Sequence, residues 1–277
     1  MSADPSEDAG QPRHRQWTGD MAGPELIRSG AADLIVFTER CPGIDRGNQD
    51  AVGLVPLGDG RLVLAVADGA GGQPAGDRAS ESAIRTFCET VTQAATEGHP
   101  LREAVLQGFD RANAAVLGLG VGAATTLVVA ELEGWTLRTY HAGDSRALVS
   151  GQRGLLKLLT AAHSPVGHAV QAGILEEDEA LHHEELHLVS NMLGGDDMRV
   201  EMGAPLDLAN RDTVLLASDG VFDNLGPEEI VEHVRKGPLD QAAAGLIAAI
   251  GHRMAGDDPA APSKPDDVSL ICLRRSR

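Results

Sequence analysis

The sequence predicts an α+β protein whose strands form antiparallel sheets. Residues 124–159 contain four apolar or alternating stretches, and only short turns separate them. Short turns join antiparallel strands, whereas parallel strands need a crossover of about a dozen residues or more. Helical patterns come in two pairs, at residues 79–116 and 227–254, outside this run of strands. Strands and helices grouped in this way are typical of α+β folds.

Composition limits the class of protein and its partners. The 277 residues are 42% hydrophobic but only 3% aromatic, so the predicted core is large and mostly aliphatic. The formal net charge of -18 argues against nucleic acid or an anionic membrane as a partner. The three cysteines, Cys41, Cys88 and Cys272, lack metal-type spacing and are expected to be reduced thiols. We expect a cytoplasmic protein, and a monomer.

The first 31 residues differ from the rest of the chain. Residues 1–31 are polar, rich in Gly, Pro and Asp, and without periodicity, which predicts a disordered arm. The opening MSADPSEDAG has neither a basic start nor an apolar core, so no signal peptide is expected. No apolar run reaches the length of a membrane span. We expect one folded domain over residues 32–277.

Strand and turn signals come first in this domain, and two helices follow them. Apolar strands are predicted at residues 34–37, 51–55 and 62–67. The sequence DRGNQD at 45–50 is a polar turn, and GDG at 58–60 is a hairpin signal. Apolar residues then recur at helical spacing over 79–91 and, beginning with Pro100, to residue 116. Both apolar stripes are expected to face the core.

The second half repeats this order of strands before helices. Strands are predicted at residues 124–132, 135–140, 147–149, 155–159, 199–202, 213–217 and 268–273. Residues 160–195 are expected to form short helices and loops, and amphipathic helices are predicted at 227–234 and 239–254.

Several predicted strands end or begin at an aspartate beside a turn. The strand at 62–67 continues into Asp68 of the sequence DGAGG, and the strand at 213–217 leads to Asp219 of SDG. Oxygen ligands without ordered His or Cys spacing suit Mg²⁺ or Mn²⁺. The alternative is structural, because Asp also caps helices and favours turns. The aspartates in such positions are Asp50, Asp68, Asp144, Asp219, Asp223 and Asp266.

Six short motifs stand in a defined order along the chain. They are DGAGG at 68–72, GAATT at 122–126, GDSR at 143–146, LTAAHS at 159–164, LLASDGVFD at 215–223 and PDDVSL at 265–270. Together they resemble the metal-dependent protein phosphatases of type 2C, and the resemblance covers residues 34–273. It implies a four-layer αββα sandwich, in which two antiparallel sheets are flanked by antiparallel helix pairs.

The resemblance also implies an activity and its cofactors. It implies hydrolysis of phosphoserine and phosphothreonine in proteins by a hydroxide that bridges two Mn²⁺ or Mg²⁺ ions. Asp68, Asp219 and Asp266 would bind one ion. Asp68 and the carbonyl of Gly69, together with the turn at Asp50, would bind the other. The implied partners are phosphorylated proteins and a cognate serine/threonine kinase.

Further residues match the family less closely. Asp144 and Asp223 correspond to carboxylates of a weaker third metal site in bacterial relatives. Many relatives have Glu where Gln49 stands, and a neutral amide binds a cation less strongly. Arg46 is the candidate phosphate-binding residue, although it lies closer to the acidic turn than its counterpart usually does. Ala70 stands where animal-type members have a candidate acid, His.

Two other functions compete with this one. A pseudophosphatase would keep the fold and bind phosphoproteins as a scaffold, and Gln49 and the spacing of Arg46 leave that alternative open. The sequence HEELH at 183–187 matches the HExxH signature of zinc peptidases, but the extended form of that signature is absent. Residues 166–203, rich in Gly, Asp and Glu, are expected to form a mobile flap near the site that influences the choice of substrate. His163 is expected to have a structural role.

Overall fold

The computed structural model describes residues 14–70, 75–257 and 261–276. The described strands are β1 (Arg15–Thr18), β2 (Glu25–Ser29), β3 (Ala32–Glu39), β4 (Asp50–Gly58), β5 (Arg61–Asp68), β6 (Leu127–Glu133), β7 (Thr136–Ala142), β8 (Arg146–Ser150), β9 (Leu156–Leu159), β10 (Glu201–Met202), β11 (Leu206–Asp207), β12 (Thr213–Ala217) and β13 (Val268–Arg275). The described helices are α1 (Gly76–Thr96), α2 (Leu101–Leu117), α3 (Pro165–Gln171), α4 (Glu177–Ala180), α5 (Asp219–Phe222), α6 (Pro227–Val234) and α7 (Leu239–Met254).

The strands form two antiparallel sheets, and this confirms the predicted fold class. The first sheet has the order β1-β4-β5-β6-β7-β10, with β11 paired to β7. The second sheet has the order β2-β3-β13-β12-β8-β9. Helices α1 and α2 pack on the first sheet, and α6 and α7 pack on the second. The layers therefore follow the predicted order αββα.

Three apolar layers hold this sandwich together, because the central strands are buried on both faces. In β5, Leu62, Leu64 and Val66 belong to the core between the sheets. The intervening residues of β5 face the helices α1 and α2. Such continuous apolar strands are expected wherever both faces of a sheet are covered.

The helix pair α1–α2 depends on close contact at one glycine. Phe87 of α1 and Phe109 of α2 are fully buried, and their rings meet edge to face with centroids 5.7 Å apart. A Cβ atom at Gly108 would lie 2.7 Å from the Phe87 ring. Only glycine at this position lets the two helices approach so closely.

The N-terminal arm is the main correction to the predicted fold. Residues 15–18 and 25–29 are not disordered but form β1 and β2, which pair with β4 and β3. Trp17 and Ile27 pack against the core between the sheets. This burial of apolar side chains stabilises two strands that the polar composition of the segment did not predict. Residues 1–13 lie outside the described part of the chain. No described helix combines the length and the apolar character that a membrane crossing requires.

The two sheet edges are also linked by side chains at this end. Arg15 donates a hydrogen bond of 2.7 Å to Oε1 of Glu25, and Trp17 Nε1 donates one of 3.0 Å to Oε2 of the same residue. Arg15 and Trp17 belong to the first sheet, whereas Glu25 belongs to the second. One carboxylate thus connects both sheets.

We expect Trp17→Ala to lower the free energy of unfolding by about 1–2 kcal/mol, because it removes partly buried apolar area and the bond to Glu25. Urea denaturation followed by circular dichroism measures the change. The control is Arg28→Ala, whose side chain is 78% exposed and whose effect should stay below about 0.5 kcal/mol. If the Trp17 variant were as stable as the wild type, residues 15–18 would belong to the predicted disordered arm.

Candidate metal centre

The predicted acidic residues meet at one end of the sandwich. Asp50 opens β4 and Asp68 closes β5, and the two are direct partners in the antiparallel register. Asp219 is the first residue of α5, which begins directly after Ser218 at the end of β12, and Asp223 follows that helix. The strand ends of both sheets therefore contribute carboxylates to one place.

Backbone hydrogen bonds fix the end of β5. The carbonyl oxygen of Asp68 accepts from the backbone N–H of Thr126 and the hydroxyl of Thr125, both at 2.8 Å. The N–H of Gly69 donates to the carbonyl of Gln49 at 3.0 Å. A Cβ atom at Gly69 would collide with the backbone of α1, so the glycine permits this crossing of chain segments.

The carboxylates strongly influence one another. Burial and then the charge of Asp219 raise the pKa of Asp68 and of Asp223 well above the usual value. The same two causes raise the pKa of Asp144 to about 7 and that of Asp266 to about 6. The site still opens to solvent, since the side chains of Asp219 and Asp266 are 14% and 30% exposed. Mutual repulsion of this kind is relieved by a bound cation.

The donor set fits a hard divalent cation. One oxygen of Asp50 accepts a hydrogen bond of 2.8 Å from the Ser218 hydroxyl. Its other oxygen, Oδ1, is buried and has no hydrogen-bond partner among the described residues. A buried carboxylate oxygen without a partner is costly, and a cation would satisfy it. Oxygen ligands without sulfur or imidazole favour Mg²⁺ or Mn²⁺.

Adjacent aspartates before β13 have different roles. Asp267 is nearly fully buried, and its carboxylate accepts backbone N–H groups from Cys41 and Gln49, each at 2.7 Å. Asp266 instead interacts electrostatically with Asp219 and lies 3.8 Å from the Lys264 ammonium. Asp267 therefore ties three chain segments together, and Asp266 faces the acidic centre.

Arg46 lies beside these two aspartates. Its guanidinium contacts Asp266 at 3.3 Å and Asp267 at 3.1 Å, and it also donates to the side-chain oxygen of Gln49. The Gln49 oxygen is thus engaged by an arginine. With its side chain 33% exposed, Arg46 borders the opening of the centre.

Asp144 reaches the same centre from a tight turn. Gly143 has a φ of +119°, and a Cβ atom there would lie 2.5 Å from that of Thr126. Asp144 and Asp223 also line a cavity of about 480 Å³ that extends under residues of α3 and α4. All six predicted aspartates are therefore connected by proximity or by charge interaction.

Sequence reasoning missed two residues of the centre, Ser218 and Lys264. The ammonium of Lys264 lies 2.7 Å from Asp219 and 2.5 Å from Asp223. Although burial opposes ionisation of Asp219, the Lys264 charge holds the pKa of that carboxyl below its usual value. One signal was available, because the chain has only three lysines and one of them stands two residues before Asp266.

The HEELH sequence does not form the helix that a zinc peptidase needs. Residues 183–187 lie in turns and a short irregular segment, so the two histidines are not one helical turn apart. The nitrogen Nδ1 of His183 accepts a hydrogen bond from the N–H of Glu185. The geometry argues against the zinc-peptidase alternative.

A different histidine cluster also fails as a metal site. The potential ligand atoms of His141, His163 and Glu201 lie within 4.8 Å of one another. Asn191 is oriented by two hydrogen bonds with the backbone of Arg199, so its amide nitrogen donates to Nδ1 of His163 at 2.8 Å. The proton of neutral His163 therefore resides on Nε2, which faces Glu201 at 3.2 Å. That nitrogen has no lone pair for a metal, so this pattern favours the predicted structural role.

Comparisons with known proteins agree with this architecture. The family model described as protein phosphatase 2C matches residues 45–242. The serine/threonine phosphatase stp of Listeria monocytogenes is 30% identical over 207 residues, which are 69% of this chain and 81% of that protein. The structure of the Streptococcus agalactiae serine/threonine phosphatase superimposes with a TM-score of 0.74 at 25% identity, covering 88% of this chain and 100% of that one.

A further solved structure with the same fold contains metal ions. It is the catalytic domain of the serine/threonine protein phosphatase PstP in complex with two manganese ions. Its TM-score is 0.68 at 24% identity, with 89% of this chain and 99% of that one covered. Fold and acidic centre together define an enzyme of the metal-dependent phosphatase class. The chain belongs to the protein phosphatase 2C family.

We expect Asp266→Asn to weaken Mn²⁺ binding by about 100-fold, because it removes a carboxylate facing the centre. Asp267→Asn should instead lower the free energy of unfolding in EDTA by about 1–3 kcal/mol. The carboxylate of Asp267 accepts from Cys41, Gln49 and Arg46, and an amide has only one oxygen to accept these hydrogen bonds. Isothermal titration calorimetry and urea denaturation measure the two effects. Each variant is the control for the other. If Asp267→Asn weakened Mn²⁺ binding and Asp266→Asn lowered stability, Asp267 would be the metal ligand and Asp266 the structural residue.

Proposed function

We propose that the protein is a serine/threonine protein phosphatase that hydrolyses phosphoserine and phosphothreonine with two divalent ions. The observation that supports this most is the convergence of six carboxylates on a centre that opens to solvent. Membership in the protein phosphatase 2C family supports the same conclusion. The proposed cofactor is Mn²⁺ or Mg²⁺, in keeping with the oxygen donors and with the manganese ions in the PstP structure.

Five residues would hold the ions. Asp68, Asp219 and Asp266 are proposed for one ion, and Asp68 with the Gly69 carbonyl for the other. Asp50 supports the second ion through its unpartnered oxygen. Two such ions, when bound, supply a water of lowered pKa and neutralise the phosphoryl oxygens. The chain itself positions the phosphoester and the carboxylates.

Arg46 is proposed to bind the phosphate of the substrate. Its planar guanidinium can donate two parallel hydrogen bonds to phosphoryl oxygens. Asp266 and Asp267 hold it at the opening of the centre. These contacts orient the side chain before a substrate arrives, which reduces the entropy lost on binding.

The cysteines support a cytoplasmic setting. All three cysteines are free and buried, which suits the cytoplasm, where thiols stay reduced. Phosphorylated proteins are the proposed substrates. A cognate serine/threonine kinase and a monomeric state stay predictions, and size-exclusion chromatography with light scattering would test the second.

We expect the purified protein to hydrolyse p-nitrophenyl phosphate and a phosphothreonine peptide with Mn²⁺, and EDTA to abolish both activities. Asp219→Asn should lower kcat by about 1000-fold on both substrates, because it removes transition-state stabilisation of about 4 kcal/mol. The control is Asp240→Asn, an exposed aspartate in the first turn of α7. No turnover with any metal, together with intact phosphoprotein binding, would favour the scaffold alternative.

The same assay tests Arg46. Arg46→Lys keeps the charge but loses the two parallel donors, so KM for both substrates should rise by about tenfold while kcat changes less. An unchanged KM would leave Arg46 with the structural role of joining Asp266 and Asp267.

The proposed flap comprises residues 166–203. Arg146 donates to both oxygens of Glu177 in α4, at 3.2 and 3.0 Å, and its guanidinium lies 5.3 Å from the centre of the Phe222 ring. Phe222 is directly followed by Asp223 of the acidic centre. We propose that this ion pair positions the flap beside the centre and so influences substrate choice.

Glu177→Ala should change kcat/KM for phosphopeptides by about tenfold and leave p-nitrophenyl phosphate within about twofold, because only the peptide is long enough to reach the flap. Steady-state assays on a small peptide panel measure the ratio. Glu184→Ala, at an exposed position of the same segment, is the matched control. Equal losses on peptide and aryl phosphate would contradict a role in selectivity.

A further inference from the structure

The ammonium of Lys264 occupies one side of the acidic centre. Its Nζ atom lies 2.7 Å from Oδ2 of Asp219, 2.5 Å from Oδ2 of Asp223 and 3.8 Å from Oδ2 of Asp266. We propose that Lys264 is a built-in cation that takes the place of a third divalent ion, so that the centre binds two ions and not three. This inference rests on the proposed function in one respect, namely that the carboxylates bind divalent ions at all.

The backbone around Lys264 is held in place for this contact. The fully buried Asn224 accepts from the N–H of Lys264 at 2.9 Å and donates to its carbonyl at 2.8 Å. The same amide donates to the carbonyl of Gly220 in α5 at 2.9 Å. Pro265 follows directly and restricts the backbone further. Lys264 is therefore fixed to the helix that presents Asp219, and only its side chain needs to be ordered.

The ammonium contacts Asp223 and interacts electrostatically with Asp144, the two carboxylates of the third metal site that the family resemblance implies. That site would use Asp144 and Asp223. An ion bound to Asp223 in that site would compete with Lys264 for Oδ2, whereas Asp219 keeps its other oxygen, Oδ1, for one of the two proposed ions. An ion at that point would also repel the ammonium at close range.

Around Asp50 and Asp68, the main electrostatic partners among the described residues are other carboxylates. There, Asp50 keeps a buried oxygen without a partner among the described residues, and Asp68 interacts mainly with other carboxylates. The proposed pair of ions would bind at these carboxylates and at Asp219 and Asp266, which Lys264 also approaches. At Asp50 and Asp68, divalent ions would have to supply the positive charge. At Asp223, Lys264 supplies it.

Formal charge is consistent with this division. Asp50, Asp68, Asp144, Asp219, Asp223 and Asp266 bring six negative charges, and two divalent ions bring four positive ones. Lys264 supplies a fifth positive charge at Asp219 and Asp223. Because the ammonium is part of the chain, this positive charge cannot dissociate on dilution, whereas a bound metal ion can.

The test counts bound ions. Metal-free wild type, Lys264→Met, Lys264→Arg and the control Lys236→Met are dialysed against excess Mn²⁺, and bound metal is measured by elemental analysis at several free concentrations. Wild type, Lys264→Arg and Lys236→Met should bind two ions. Lys264→Met, which keeps the length of the side chain but not its charge, should bind a third, weaker ion.

Either of two results would overturn the proposal: three ions in the wild type, or two ions in Lys264→Met at saturating Mn²⁺. The number of ions bound to the wild type is measured without any variant. Three ions there would contradict the proposal even if Lys264→Met failed to fold. Failure of the proposed function is distinguishable, because it would appear as an absence of turnover in a wild type that binds two ions.

A second readout needs no bound metal. In EDTA, Lys264→Met should melt at a lower temperature than wild type, because the carboxylates of the centre have lost the ammonium that contacts them, and Lys264→Arg should recover most of the difference. Added Mn²⁺ should narrow the gap as the third ion replaces the missing charge. Identical melting temperatures in EDTA would contradict the proposed role of Lys264 as a counter-cation.

Discussion

Repulsion among buried carboxylates is the constraint on which the rest of this structure depends. Two sheets bring their strand ends to one place, and each contributes aspartates there. Burial and neighbouring negative charge raise the pKa of Asp68, Asp144 and Asp223. Positive charge must therefore enter the site, either as divalent ions or from Lys264 and Arg46. The proposed function uses the same property, since divalent cations bound at such a centre would activate water.

Residues without a direct role in this chemistry determine where the charges stand. Asp267 joins the segments of Cys41, Gln49 and Arg46 through its two oxygens. Asn224 binds the backbone on both sides of Lys264. Because these polar groups are buried and satisfied, they fix the geometry more firmly than exposed ion pairs could. The acidic centre is thus surrounded by a framework of hydrogen bonds that holds the loops in register.

Much of the fold could be predicted from local patterns. The strand at 213–217 and the helices at 227–234 and 239–254 agree with β12, α6 and α7 at both ends, because strong periodicity and clear breakers mark them. The N-terminal strands could not be predicted in this way. Residues 15–18 and 25–29 have little periodicity, and their order comes from pairing with β4 and β3 and from the packing of Trp17. Such contacts are remote in sequence.

The sequence by itself determined the family, the two-sheet fold and the six aspartates, because each has a local signature of apolar run, glycine and carboxylate. Only the tertiary structure distinguished Asp266 from its neighbour Asp267, since both have the same side chain and differ only in the direction in which the loop before β13 points them. It alone also brought Lys264 to Asp219 and Asp223. Those contacts join residues about 40 positions apart, and charge complementarity over such a separation depends on the folded geometry and leaves no local pattern.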